Sequence, residues 1–112
     1  MRIGRVYDQL EPGYRRILAD RLWPRGLRKN DPRVGQWWPQ LAPSTELRQW
    51  YAHQPGRFDD FADRYRAELQ SGEGAEALAA LRDLVQSEQV MVVTASKDVD
   101  ISHVAVLASL VQ

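Results

Sequence analysis

The sequence predicts a small α/β protein, with a largely parallel or mixed sheet flanked by helices in a single compact domain over residues 1–112. Three observations support this fold class. A chain of 112 residues is long enough for one hydrophobic core and too short for two. Residues 89–95, QVMVVTA, form a continuous apolar run that is typical of an interior strand covered on both faces. Segments with helical apolar periodicity lie between this strand and two strand-like segments near the N-terminus.

Two strands are predicted within the first 22 residues. Residues 2–7, RIGRVY, alternate polar and apolar side chains, and residues 15–22, RRILADRL, form a second strand-like segment. A Pro-Gly pair at 12–13 marks the turn between them. The connection is too short for a helical crossover, so a standard βαβ unit is not expected here. We expect 15–22 and 89–95 to be adjacent and parallel.

Helical patterns account for the remaining segments. The predicted helices cover 32–42 with Trp37 and Trp38, 46–52, 58 to about 70, about 75–85, and about 101–111. Ser44 or Thr45 is a natural N-cap for the second of these helices. Tyr65 and Glu68 on the third helix are expected to lock onto the loop beneath it. The last helix is apolar on most sides and is expected to be well buried.

The composition excludes several classes of site. The chain has no cysteine, which rules out disulfides, thiol nucleophiles and thiolate metal ligands. His53 and His103 are the only histidines, so no metal site and no cofactor are predicted. No apolar run approaches the roughly 20 residues of a membrane span, and no secretory signal precedes residue 2. We therefore expect a cytoplasmic protein with no membrane association.

The net charge of zero conceals an asymmetry along the chain. Residues 1–33 carry nine Arg and Lys against four acids, or +5, and residues 34–112 carry six against eleven, or −5. This distribution allows an anion-binding surface in the N-terminal part, although the two halves can also neutralise each other through ordinary surface pairs. Tight nucleic-acid binding is not expected, because the whole chain has no net positive field.

Polar and basic side chains follow the two predicted neighbouring strands, in DRLWPRG at 20–26 and SKD at 96–98. Ligands of open α/β sheets bind at the carboxyl ends of strands, where helix N-termini and basic side chains favour anions. The candidate binding residues are Arg21, Trp23, Arg25, Gly26, Lys97 and Asp98. The candidate catalytic residues are Asp20 and His103, which have the chemistry to move protons.

Each of these residues also has a structural interpretation. Arg25 is placed either in an anion site or in a tight turn, paired with Asp20 or Asp98. Asp20 is of a type that often caps a turn or pairs with an arginine, and Asp98 or Asp100 is a natural N-cap for the last helix. His103 on a buried helix is of a type that is often purely structural. We expect Arg21 to be buried against a carboxylate and the Arg25 head to face a water-filled cleft.

Four motifs resemble a known family. DRLWPRGL at 20–27, LAPSTELRQWYAH at 41–53, FADRYRAEL at 61–69 and ASKD at 95–98, followed by His103, are similar to the domain of unknown function 488 family and its short YeaO-like members. The motifs cover nearly the whole chain in the same order. The resemblance implies a compact α/β domain and implies no particular reaction.

The chain departs from that family pattern at two places. Similar proteins usually carry His-Asn-His where this chain has Ile101, Ser102 and His103, and a lysine where it has Pro39. The first departure takes a histidine and an amide out of the implied site. It therefore argues against a mechanism that needs two histidines.

The residues leave three functions open. The first is a pocket for a small phosphate- or carboxylate-bearing metabolite, in an enzyme or in a simple binder. The second is a non-enzymatic module that presents the basic N-terminal surface to nucleic acid or to an acidic protein. The third is a purely structural corner at 20–26. The sequence gives no indication of the oligomeric state.

Overall fold

The computed structural model describes residues 1–111 and contains one sheet of four parallel strands. The strands are β1 (Arg2–Arg5), β2 (Arg15–Leu18), β3 (Gln36–Trp37) and β4 (Val90–Thr94), in the spatial order β1-β4-β2-β3. Ile17 of β2 lies opposite Val92 of β4, which confirms that the two predicted strands are adjacent and parallel. The predicted α/β class is confirmed, with a sheet that is parallel throughout.

Four helices follow β3 or β4 along the chain. They are α1 (Thr45–Tyr51), α2 (Phe58–Glu68), α3 (Gly72–Ser87) and α4 (His103–Val111), with single 3-10 turns at Pro39–Leu41, Pro55–Arg57 and Val99–Ile101. The predicted N-cap of α1 is confirmed, because the Ser44 hydroxyl accepts a hydrogen bond from the backbone N–H of Leu47 at 3.1 Å. Within residues 1–111 no helix is long and apolar enough to cross a membrane.

The predicted helix over 32–42 is wrong. Gly35 adopts φ +68°, and Gln36–Trp37 then pair with β2 as the edge strand β3. Only the 3-10 turn Pro39–Leu41 remains of the helical pattern. The sequence around Trp37 and Trp38 has a helical pattern, but Pro39 interrupts any helix there. The edge of β2 offers this segment backbone hydrogen-bond partners instead.

The two faces of the sheet pack into different cores. Along β4 all five residues are buried, as an interior strand requires. Val90 and Val92 point into the larger core beneath the helices. Met91 and Val93 point to the opposite face, where they pack with Val6 and other side chains of the connecting loops. The alternation follows from the period of two along a strand.

A buried arginine organises the loops on the second face. β1 and β2 both pair with β4, and residues 6–14 join them without a helix. The Arg16 side chain is buried, and its guanidinium donates to four carbonyls at 2.9–3.1 Å, those of Val6, Asp8, Gln9 and Arg33. Burial lowers the pKa of Arg16, and the carbonyls replace the hydrogen bonds that water would make to Nη1 and Nη2, whereas Nε is buried without a partner within residues 1–111. One side chain thus fixes the β1–β2 connection and the approach to β3.

We expect any side chain at Gly35 to destabilise the fold, because it would collide with the backbone of Arg16. A Cβ at this position would lie 2.2 Å from the Arg16 carbonyl oxygen. Gly26 also has a positive φ, +81°, but a Cβ there would meet no atom within 4 Å. We therefore expect Gly26→Ala to lower the free energy of unfolding by about 1–2 kcal/mol, the cost of a left-handed alanine. Gly35→Ala should cost at least about 2 kcal/mol more, because overpacking adds to that cost.

Urea denaturation of the two variants measures this difference directly. Equal losses for Gly35→Ala and Gly26→Ala would show that the β3 backbone moves away from Arg16 at little cost.

Candidate functional site

A cleft of about 650 Å³ opens where β1, β4 and β2 end. β1 contributes Arg5, and the loop after β2 contributes a continuous stretch, 20–25. Residues 95–97 after β4, together with side chains of α1 and His103 of α4, complete the walls. All these segments meet at one edge because parallel strands present their carboxyl ends together.

Six of the eight sequence-predicted site residues line this cleft. They are Asp20, Arg21, Trp23, Arg25, Lys97 and His103. Gly26 lies outside the lining, and its φ of +81° identifies it as a turn residue. Asp98 is also outside the lining and is exposed. Its predicted role as N-cap of the last helix is wrong, because α4 begins at His103 and Asp98 precedes a separate 3-10 turn without a side-chain cap.

The Asp20 carboxylate lies at the floor of the cleft and accepts hydrogen bonds from the end of β4. Its Oδ1 accepts from the Thr94 hydroxyl at 2.7 Å, and its Oδ2 accepts from the Ala95 backbone N–H at 2.7 Å. His103 Nε2 lies 3.1 Å from Oδ1. Burial alone would raise the pKa of the Asp20 carboxyl, but the donors from His103, Ala95 and Thr94 together hold that pKa below its ordinary value.

The His103 ring is oriented by two acceptors. Its Nε2 lies 2.8 Å from the Ala19 carbonyl oxygen as well as 3.1 Å from Asp20 Oδ1. Since both neighbours only accept hydrogen bonds, Nε2 carries the proton. Nδ1 has no hydrogen-bond partner within residues 1–111, and the side chain lines the cleft. With the proton on Nε2, Nδ1 is the hydrogen-bond acceptor of the neutral form of the ring.

Arg21 does not pair with a carboxylate, contrary to expectation. Its guanidinium donates to the carbonyl oxygens of Ala42 at 3.1 Å and Pro43 at 3.4 Å. The prediction failed because it placed Arg21 inside a strand, whereas β2 ends at Leu18 and the side chain belongs to the following loop. Arg21 thus links the end of β2 to the loop that precedes α1.

That loop, residues 41–44, is held by side chains of α2. The Tyr65 hydroxyl donates to the Leu41 carbonyl oxygen. The Glu68 carboxylate accepts from the Ser44 backbone N–H at 2.8 Å and from the Ser44 hydroxyl at 2.6 Å. The predicted lock formed by Tyr65 and Glu68 is confirmed.

The cleft contains many more basic than acidic side chains. Five basic side chains line it, namely Arg5, Arg21, Arg25, Arg48 and Lys97. Asp20 is the one carboxylate in the lining, and none of the five basic groups forms an ion pair with an acid in the described part of the chain. The Arg and Lys ion pairs of residues 1–111 lie elsewhere, at Arg2–Glu11, Arg15–Glu88, Arg33–Asp31 and Arg66–Asp63.

Two of these five basic residues, Arg5 and Arg48, are not among the site residues that the sequence predicts. Arg5 ends β1, with its guanidinium 4.9 Å from the Tyr7 ring centre and donating to the Ala95 carbonyl oxygen at 3.4 Å. The rule that ligands bind at carboxyl ends of strands applies to β1 as well and would have found it. Arg48 lies within the motif LAPSTELR, and no local feature marks it as part of the cleft.

The Trp23 side chain, which lines the cleft, is held by hydrogen-bond and ring contacts. Its indole N–H donates to the Leu27 carbonyl oxygen at 2.9 Å. Its ring meets Trp37 edge to face, with centroids 5.6 Å apart, and the Trp37 indole N–H donates to the Asp20 carbonyl oxygen at 2.6 Å. These contacts fix the plane of the ring that borders the cleft.

The names of the proteins similar to this chain assign no function to them. The family described as "Inactive DUF488-N3 subclade" matches residues 1–112. The uncharacterized protein Rv3073c of Mycobacterium tuberculosis is 51% identical over 111 residues, which cover 98% of this chain and 92% of that protein. The uncharacterized protein YeaO of Escherichia coli is 37% identical over 106 residues, which cover 93% of this chain and 90% of YeaO. No solved structure matches the chain significantly.

The Asp20 contacts predict a specific pH dependence of stability. Asp20→Asn should lower the free energy of unfolding by about 3 kcal/mol at pH 7, because an amide cannot accept from all of these donors. The folded pKa of Asp20 lies below its unfolded value near 3.9. Its contribution is therefore complete above about pH 4 and is lost as the pH falls through the folded pKa. The difference in free energy of unfolding between the wild type and Asp20→Asn, measured by urea denaturation, should therefore become smaller below pH 4.

Asp63→Asn is the matched control. The Asp63 side chain is 78% exposed and pairs only with Arg66 on the same helix, so we expect a change within about 0.5 kcal/mol. A difference between wild type and Asp20→Asn that stays constant down to pH 2.5 would contradict an ionised Asp20.

Proposed function

The chain belongs to the DUF488 family, in the subclade described as inactive, and on this premise we propose that it binds a small organic anion in the cleft without converting it. The observation that carries this proposal is the group of five basic side chains without acidic partners. Like charges that share a cleft repel each other, and a bound anion relieves this repulsion while forming charge-assisted hydrogen bonds. Four of the five are arginines, whose planar heads suit carboxylate and phosphate groups.

The hydroxyl groups of the cleft support binding without turnover. Ser102 donates to the Val99 carbonyl oxygen at 2.7 Å, Tyr7 to that of Arg25 at 2.8 Å, and Tyr51 to that of Ile101 at 2.6 Å. An activated nucleophile is hydrogen-bonded to a base. Within residues 1–111 neither these three hydroxyls nor that of Ser96, the fourth in the lining, has such a partner.

Asp20 and His103 have a positioning role in this proposal. Both Asp20 oxygens are engaged by the end of β4, and the proton of His103 Nε2 is held by Ala19 and Asp20. A carboxylate with a lowered pKa is a weak general base at neutral pH. The pair therefore shapes the floor of the cleft and presents Nδ1 to the ligand.

The basic N-terminal surface is a weaker candidate than the cleft. Of the nine basic residues in 1–33, Arg2, Arg15 and Arg33 are neutralised by acids, and Arg16 is buried. Little unpaired charge is left on that surface outside the cleft for a nucleic-acid backbone or an acidic protein.

Phosphate is predicted to raise the melting temperature through binding to the cleft. A ligand at 100 times its Kd stabilises the folded state by about 2.7 kcal/mol. Arg25→Ala should abolish most of this increase and change stability without phosphate by only about 0.5 kcal/mol, because Arg25 is exposed and its guanidinium has no partner within residues 1–111. Thermal unfolding with phosphate, and with sodium chloride at the same ionic strength, provides the measurement.

Arg28→Ala is the matched control for this experiment. Arg28 is exposed in the same loop and does not line the cleft, so the variant should respond to phosphate as the wild type does. Equal stabilisation of Arg25→Ala and the wild type, or equal stabilisation by sodium chloride, would refute anion binding in the cleft.

A further inference from the structure

We propose that the anionic group belongs to a ligand that also contains a planar ring, with the size and chemistry of a nucleoside monophosphate. This inference rests on the proposed anion-binding function and specifies its ligand class. Three features of the cleft carry it: its volume, the fixed ring of Trp23, and the presence of both basic donors and the Nδ1 atom of His103.

The cleft is too large for a simple anion. An inorganic phosphate occupies on the order of 100 Å³, a few times the roughly 30 Å³ share of a water molecule. The cleft has a volume of about 650 Å³, within the roughly 300–1,000 Å³ that is typical of sites for small organic ligands. A ligand that fills it must therefore extend well beyond its anionic group.

Apolar and aromatic side chains line the cleft together with the basic groups. Trp23 and Pro24 come from the loop after β2, and Tyr51 comes from α1. Tyr51 is itself fixed, because its ring stacks on Phe61 with centroids 4.3 Å apart. Surfaces of this kind on different segments suit a flat apolar group better than a flexible polar chain.

Trp23 is oriented before any ligand binds. Its N–H is engaged by Leu27 and its ring by Trp37, so the ring does not need to be ordered by the ligand. Preorganised aromatic faces contribute to affinity because little side-chain entropy is lost on binding. Stacking on such a face accepts any base-like ring, since every base has a π-face.

The polar groups complete the match with a nucleotide. The basic side chains offer only donors, which suit phosphate, whereas His103 Nδ1 offers an acceptor at the floor. A nucleoside monophosphate carries acceptors on its phosphate and donors on its sugar hydroxyls and many base edges. A carboxylate has no donor for His103 Nδ1, and inorganic phosphate at neutral pH has only its P–OH donors.

Calorimetric titration of the full chain with AMP, ribose 5-phosphate and inorganic phosphate tests this ligand class. We expect AMP to bind at least about tenfold more tightly than ribose 5-phosphate, the increment expected for one stacked base. Trp23→Leu should remove this preference, so that the affinity for AMP falls to about that for ribose 5-phosphate. Trp50→Leu is the control, because Trp50 lies outside the cleft, with the Arg57 and Arg64 guanidinium groups over its ring.

The outcomes separate this inference from the function on which it rests. Suppose the wild type binds AMP and ribose 5-phosphate equally well and Arg25→Ala binds neither. That result would refute the inference that the ligand contains a planar ring and would leave the anion-binding proposal intact. A preference for AMP that persists in Trp23→Leu would also overturn that inference. Failure of the wild type to bind any of the three probes would overturn both proposals. The wild-type comparison decides the question even if Trp23→Leu does not fold.

Discussion

Asp20 joins the ends of the two central strands, and the geometry of the cleft depends on this residue. Its side chain accepts from Thr94 and Ala95 at the end of β4 and faces His103 at the start of α4. Its backbone carbonyl accepts from Trp37 of β3. Because a buried carboxylate without donors is strongly unfavourable, these partners must be in place together. One residue therefore sets the relative positions of three strands and the last helix.

A second set of contacts extends this arrangement to the helices. Three consecutive carbonyls, those of Leu41, Ala42 and Pro43, accept hydrogen bonds from Tyr65 or Arg21. Beyond Leu41, where the 3-10 turn ends, this loop has no regular secondary structure, yet α2 and the loop after β2 both hold it. Arg21 thus has two consequences: it braces the loop, and it leaves its positive charge at the edge of the cleft. Residue types that suggest binding in a sequence can therefore be structural and still determine the chemistry of a site.

The sequence predicted much of this arrangement, and the failures have physical causes. The apolar run at 89–95 predicted the interior strand, and its expected parallel pairing with the segment 15–22 is confirmed by the sheet. The extent of β2 was overestimated, because the chain leaves the sheet where Asp20 bonds to β4. The helix over 32–42 was wrong because strand pairing with β2 is a long-range interaction that a local pattern does not contain. Arg5 and Arg48 join the cleft only through the strand order β1-β4-β2 and the position of α1, which no motif specifies.

The strand order also constrains how the chain is made. The central strand β4 is the last strand in the sequence, and β1 has no other partner in the sheet. At about 5–20 residues per second, a ribosome needs several seconds to extend the chain from Arg5 to Val90. During that time β1 is an unpaired segment, and β2 has only the two-residue β3 beside it. The sheet must therefore assemble late, after nearly the whole chain has been synthesised, and its folding is governed by contacts between distant parts of the sequence.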